Sequence, residues 1–316
     1  MNGQAGTAGA ADSLTIAAPA KLNLSLAVLA RRPDGFHEIE SLMVPVSLAD
    51  TLHVRPRSAP GVGLRVSYAD ELALGPGAVL ARDVPTDGRN LVVRAAELLA
   101  AEAGVTGGLE IELVKRVPSG AGLGGGSSDA AAAIRTAAQL WQLDWPLEKL
   151  AEVGARIGSD VPWFFAGSPA IASGRGEVIE PVAGLPDLAA VIACPATGLS
   201  TAAVYARCVP DASRRGEAAK LAAALAGSGL PAAEPFMHNA LEAPARSLSP
   251  DIDRLLAALA DAGGFAPRLT GSGSACFALA RTLAETESIA ARLKARTSAP
   301  NAPCVAAFAV RCTAPR

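Results

Sequence analysis

Apolar positions run through most of this chain, and their spacing changes character from one end to the other. Residues 14–18 read as a short strand that Pro19 should end, and residues 22–29 as a second strand or a buried run. A turn cluster, Arg31 to Gly35, separates them from two further strand-like stretches, 39–46 and 51–54. The period then lengthens. Residues 90–103 carry apolar residues at helical spacing, 109–114 alternate apolar with acidic residues as a half-exposed strand does, and helices are predicted over 128–143 and 147–157, with Gly158 as the closing glycine. Beyond them the pattern predicts a strand at 189–194, a helix at 252–262, a strand-turn-strand unit at 268–279, a helix at 285–296 and a last strand at 305–310. The stretch 211–235, rich in Ala, Gly and Pro, gives no clear element. No repeat of fixed period occurs, and strands and helices do not alternate in a βαβ rhythm, so both halves are expected to be α+β.

Length turns that pattern into two domains: 316 residues exceed what one core usually organises. Glycines and prolines cluster between Gly167 and Pro186, which places a flexible extension at 1–13, one domain at 14–175 and a second at 176–316. Half of the residues are apolar but only 4% aromatic, so Ala, Leu and Val must fill the interior. A net charge of -2 without a Lys/Arg run argues against nucleic acid as a partner. The five cysteines are odd in number, contain no C-x-x-C pair and lie far from the histidines, which supports neither a disulfide framework nor a zinc site and suits a reducing cytoplasm. No apolar stretch is long enough to span a membrane, and the small, polar start is not a signal peptide.

The chemistry begins at Pro118-Ser119-Gly120-Ala121-Gly122-Leu123-Gly124-Gly125-Gly126-Ser127-Ser128, between a predicted strand and a predicted helix. Its five glycines permit positive φ and let backbone N–H groups converge on an anion, to which the helix start adds its own amides. Ser127, Ser128 and Asp129 are all suitable N-caps, and the serines are also candidate phosphate or Mg²⁺ ligands. A Walker A loop is excluded because no Gly-Lys pair exists in the chain, and the dinucleotide fingerprint fails because Ser127 stands where its third glycine belongs. Two further residues suit phosphoryl transfer. Lys21 interrupts an apolar run, where a charge needs a partner, and Asp160 lies in Gly158-Ser-Asp-Val-Pro, at a helix end. An aspartate there is fit to take a hydroxyl proton while a lysine beside it offsets developing negative charge.

Three blocks, Pro19-Ala-Lys-Leu-Asn-Leu24, the glycine loop, and Leu269-Thr-Gly-Ser-Gly-Ser-Ala-Cys-Phe277, resemble in order and spacing the three motifs of the GHMP kinase superfamily (galactose, homoserine, mevalonate and phosphomevalonate kinases). The resemblance runs from about Leu14 to Val310. Arg32-Pro-Asp-Gly-Phe-His-Glu38, Asn90-Leu-Val-Val-Arg-Ala95 and Gly158-Ser-Asp-Val-Pro-Trp-Phe164 narrow it to the branch that phosphorylates a cytidine diphosphate-linked methylerythritol. It implies a two-domain α+β fold with ATP, Mg²⁺ and substrate in the inter-domain cleft, in a monomer or weak homodimer. It implies that Lys21 and Asp160 are the catalytic pair, that Asn90 lies near the nucleotide, and that Asn23, Thr270, Gly271, Ser272 and Gly273 face the substrate. It further implies that His37 hydrogen-bonds the cytosine, with Phe36 and Tyr205 stacking on its two faces. No acidic Mg²⁺ ligand stands out by spacing. The alternatives are a homoserine- or mevalonate-type GHMP kinase and an inactive ligand sensor on the same fold.

Overall fold

The computed structural model describes residues 13–81, 84–297 and 302–312, so the expected N-terminal extension lies outside the described residues except for Ser13. Two sheets carry the architecture. The first is built from β1 (Leu14–Asn23), β2 (Ala27–Arg31), β3 (His37–Arg57), β4 (Val62–Tyr68), β5 (Gly108–Lys115), β6 (Ala170–Gly174) and β7 (Val178–Pro181). The second holds β8 (Leu188–Cys194), β9 (Phe265–Leu269), β10 (Cys276–Ala280) and β11 (Ala306–Cys312), in the order β11-β8-β10-β9. In the first, the order β4-β5-β3-β6-β7 is completed by β1 and β2, which both pair with β3, and only β4 with β5 is parallel. Helices cover the outer face of each sheet, which is the α+β arrangement expected.

Burial explains the layering. Leu22, Leu42 and Val44 of the first sheet share a core with Leu188, Ile192 and Phe308 of the second. Behind the first sheet, the helices Leu91–Ala103 and Gly125–Leu140 close a second core with their alanine-rich faces, Ala95, Ala96 and Ala130 to Ala133. Behind the second sheet, the helices Asp251–Asp261 and Leu283–Lys294 close a third core through Leu255, Leu259, Ile289 and Leu293.

Several expected boundaries move. Pro19 does not end β1; the strand continues through a register shift between Pro19 and Lys21. The stretches 39–46 and 51–54 are one strand of 21 residues. The linker expected between Gly167 and Pro186 contains the β6–β7 hairpin of the first sheet, so a border at 175/176 would divide that hairpin and the chain changes sheet over 182–187. The loop-following helix starts at Gly125 rather than 128, with Gly124 (φ 73°) as its N-cap in place of Ser127, Ser128 or Asp129. The helix Leu147–Ala155 is capped by Arg156, and Gly158 has no left-handed role. The unread stretch 211–235 holds the helix Glu217–Gly227, whose Leu221 and Leu225 are buried.

Candidate active site

The glycine loop is held by its alternation. Ala121 and Leu123 are buried, while Gly120, Gly122 and Gly124 between them take φ of 67°, 79° and 73°. The carbonyls of the buried residues are tied down: Leu123 O accepts from Lys21 N (3.0 Å) and Ala121 O from Ala275 N (3.1 Å). The loop is thereby stitched to β1 and to the β9–β10 turn. Contact is tight enough that a Cβ on Gly122 would lie 2.3 Å from Thr270 O. Ser128 N is the first helix amide to find an intrahelical carbonyl, Gly124 O at 2.9 Å. The amides of Gly125, Gly126 and Ser127 thus sit in the first turn, where an anion is the natural partner.

One cavity of about 720 Å³ opens beside this loop. It is lined by Gly120, Gly122 and Gly124 and by Lys21, Asn23, Phe36, His37, Asp160, Tyr205, Gly271 and Ser272. Residues from both motif-bearing halves therefore meet in one cleft. Lys21 is buried, and its Nζ donates to Asn23 Oδ1. Asn23 passes the restraint on, its Nδ2 donating to Ser41 Oγ (2.8 Å) and its N to Thr270 Oγ1 (3.1 Å). Burial lowers the pKa of Lys21 and the charge of Asp160 opposes that fall, so the two groups sense one another across the cavity. Asp160 is the single carboxylate among the lining residues. Burial, and then Asp160, push the Tyr205 phenol upward, so it stays protonated.

The aromatic end of the cavity follows from a turn. Arg32 N donates to Phe36 O (2.8 Å), and Asp34 Oδ1 accepts from Phe36 N (3.1 Å), which delivers Phe36 and His37 side by side into β3. The Phe36 ring is half exposed, at 49%. The His37 ring lies 5.1 Å from that of Tyr205, tilted by 35°. Burial and nearby Arg31 lower the pKa of His37, so the neutral ring offers one donor and one acceptor.

Other predicted residues stand behind the wall. Thr270 is fully buried and spends its hydroxyl on Asn23. Gly273 packs toward Leu269 and Leu199, not the cavity. Asn90 is the N-cap of the helix Leu91–Ala103, its Oδ1 accepting from Val92 N (2.9 Å) and its Nδ2 donating to Pro85 O (2.7 Å). Pro118, Leu123 and Ser128 are buried, and Ser119, Gly125, Gly126 and Ser127 flank the cavity's lining without joining it. Sequence reading missed Arg31, Ser159, Arg175 and Thr201, all of which line the cavity. For Arg175 a signal existed: it stands between Gly174 and Gly176, the mark of a tight hairpin.

Family models agree with this geometry. The model described as GHMP kinases N terminal domain matches residues 90–168, and that described as GHMP kinases C terminal matches 212–299. The 4-diphosphocytidyl-2-C-methyl-D-erythritol kinase of Rhodopirellula baltica is 46% identical over 83% of this chain and 85% of its own. This chain belongs to the GHMP kinase family. A second relative of this GHMP kinase, the enzyme of the same name from Pelotomaculum thermopropionicum, is 37% identical over 89% of the chain and 94% of its own. Among solved structures, a 4-(cytidine 5'-diphospho)-2C-methyl-D-erythritol kinase superposes with a TM-score of 0.75 at 34% identity, covering 94% of this chain and 98% of that one. The homoserine kinase from Cytophaga hutchinsonii, at 21% identity and a TM-score of 0.71, covers 99% of this chain and 98% of its own and shares the fold.

Among the described residues the kinase has no cluster of three or more His, Cys, Asp or Glu side chains. Gly124 packs the loop against Lys21. A Cβ there would lie 2.9 Å from Phe164 Cζ and 3.1 Å from Lys21 Cγ, at a φ only glycine adopts freely. Gly124→Ala should therefore lose about 1–3 kcal/mol in denaturant titration and raise the KM for ATP; unchanged values for both would separate the loop from Lys21.

Proposed function

We propose that this kinase transfers the γ-phosphoryl group of ATP to the 2-hydroxyl of 4-diphosphocytidyl-2-C-methyl-D-erythritol, in the non-mevalonate route to isoprenoid precursors. The observation that carries this reading is the composition of one cavity. Phosphate-binding glycines, the Lys21–Asp160 pair and a pyrimidine-sized set of rings, Phe36, His37 and Tyr205, line the same space. The names of relatives at 46% and 37% identity support the same substrate. ATP use and five free cysteines fit the cytoplasm.

Chemically, the acceptor hydroxyl sits at Asp160, which orients it and takes its proton as the oxygen bonds to the γ-phosphorus; the bond to the β–γ bridging oxygen breaks and ADP leaves. Lys21, fixed by Asn23, offsets the negative charge that builds up on the transferring group. A Mg²⁺ ion on the triphosphate would supply further charge neutralisation, and among the lining residues Asp160 is the carboxylate that would hold it. A substrate panel tests the reading. Phosphorylation of the cytidylyl compound, and not of homoserine or mevalonate, is expected; turnover of homoserine or mevalonate instead would overturn it.

Base selectivity divides between the two neighbours. A group that hydrogen-bonds the base edge rejects the wrong base strongly, whereas loss of an apolar contact costs only about 1–3 kcal/mol. His37→Ala should lower kcat/KM and erode the preference for the cytidine over the uridine substrate. Phe36→Ala should weaken both substrates with the preference kept. A His37→Ala enzyme that discriminates as before would show that other groups read the base.

A further inference from the structure

The β6–β7 hairpin places one arginine between the two ends of the active site. Gly174 (φ 71°) and Gly176 (φ 113°) flank Arg175, whose N–H donates to a Glu177 carboxylate oxygen at 2.5 Å and so fixes the turn. On one side the hairpin abuts the catalytic aspartate: a Cβ on Gly176 would lie 3.5 Å from Asp160 Oδ1. On the other, the Arg175 guanidinium lies over Phe36, its Cζ 4.4 Å from the ring centroid. The side chain is half-buried and lines the cavity. Among the described residues it forms no ion pair; the acid that senses it, Asp34, is already bonded to Arg32 at 3.1 Å.

A cationic fork held against an aromatic ring and left without a carboxylate is suited to bidentate capture of a phosphate. Its position matters as much as its charge. Phe36 belongs to the base end and Asp160 to the hydroxyl that receives phosphate. A substrate that joins cytidine to a polyol through a diphosphate must lay that diphosphate between them. From this we infer that Arg175 binds the diphosphate bridge of the nucleotide-linked substrate and so sets the distance between the base and the reacting hydroxyl. The stacking on Phe36 keeps the guanidinium extended over the cavity rather than in solvent. This inference rests on the substrate proposed above and adds to it the residue that reads the anionic linker.

Calorimetric titration with two probes, cytidine and cytidine 5'-diphosphate, separates the possibilities. The unmodified enzyme should bind the diphosphate more tightly than the nucleoside. Arg175→Ala should lose roughly ten- to hundredfold in affinity for cytidine 5'-diphosphate, the scale of hydrogen bonds to a charged group, with cytidine affinity nearly unchanged. Arg175→Lys, which keeps the charge but not the fork, should recover only part of the loss. The KM for ATP should not move. An equal loss for both probes would mean that Arg175 only backs the Phe36 ring, and a rise in the KM for ATP without loss of diphosphate binding would assign it to the triphosphate; either overturns the inference. Failure of the unmodified enzyme to bind either probe would sink the cytidine reading itself, and this inference with it.

Discussion

Asp160→Asn is expected to leave the fold and ATP binding intact while turnover falls by on the order of a hundredfold or more, the scale of losing a general base. The argument rests on uniqueness and placement. Asp160 is the single carboxylate on the cavity wall, it opposes the burial-driven fall in the pKa of Lys21, and it raises the phenol of Tyr205. One group thus lies within electrostatic reach of both the lysine and the aromatic end. Asparagine keeps the volume that Gly176 packs against and removes only the charge and the proton acceptor. Loss of that charge also removes the influence that raises Lys21, so the lysine in the variant should titrate lower still. Single-turnover measurement with saturating ATP decides it: the KM for ATP should hold while kcat drops. Near-normal turnover would remove Asp160 from the mechanism.

What could be read in the sequence follows physical lines. The glycine loop and Lys21 were legible because their residue types are costly unless used, repeated glycine and a charge in an apolar run, whereas Asp160 was marked by its place at a helix end and the Phe36-His37 pair by the family resemblance of its segment. Strand β3 was not. Along its length it pairs in turn with β1, β2, β5 and β6, and residues 41–46 are buried on both faces, so alternation disappears. Pro45, inside the strand expected over 39–46, sits opposite Lys21, at the register shift where the β1 ladder is already interrupted. The border placed at 175/176 falls inside the β6–β7 hairpin for a related reason. Glycine pairs punctuate hairpins as readily as they punctuate linkers, and here Gly174 and Gly176 turn a hairpin that reaches the active site. Asn90 shows a third limit: an asparagine that caps a helix and one that meets a nucleotide look alike in sequence, and the amide here is engaged on both ends. The cap expected from Ser127 to Asp129 fell to Gly124 because the helix already starts at Gly125, and Asp129, inside it, is committed to Lys115.

That commitment leads to the largest expected loss of stability, in Lys115→Met. Lys115 ends β5 just before the glycine loop, and Asp129 lies in the first turns of the helix just after it. Lys115 Nζ donates to Asp129 Oδ2 (2.8 Å) and to Asp50 Oδ2, while Asp50 Oδ1 accepts from Arg116 N (2.5 Å) and Val117 N (2.8 Å). The three side chains are 0–3% exposed. They close the base of the loop, joining its entry to its exit. Removing the cation leaves the buried Asp50 carboxylate and the buried Asp129 carboxyl group without it, and breaking such a buried pair costs about 3–5 kcal/mol. The two acids respond differently. Asp50 keeps its backbone donors, whereas Asp129 Oδ1 has no partner, and burial pushes its carboxyl from 3.8 to about 8 against the pull of Lys115. Asp129→Asn should therefore be tolerated at neutral pH, and Lys115→Met/Asp129→Asn should recover part of what Lys115→Met loses. The sign of the pH effect follows. An acid whose folded pKa is raised takes up a proton on folding, so stability falls as pH rises from about 4 to about 8. Asp129→Asn should flatten that slope. Urea titrations of the three variants across this range check both statements. A Lys115→Met chain within about 1 kcal/mol of the unmodified one would mean that the backbone bonds to Asp50 hold the loop without the ion pairs.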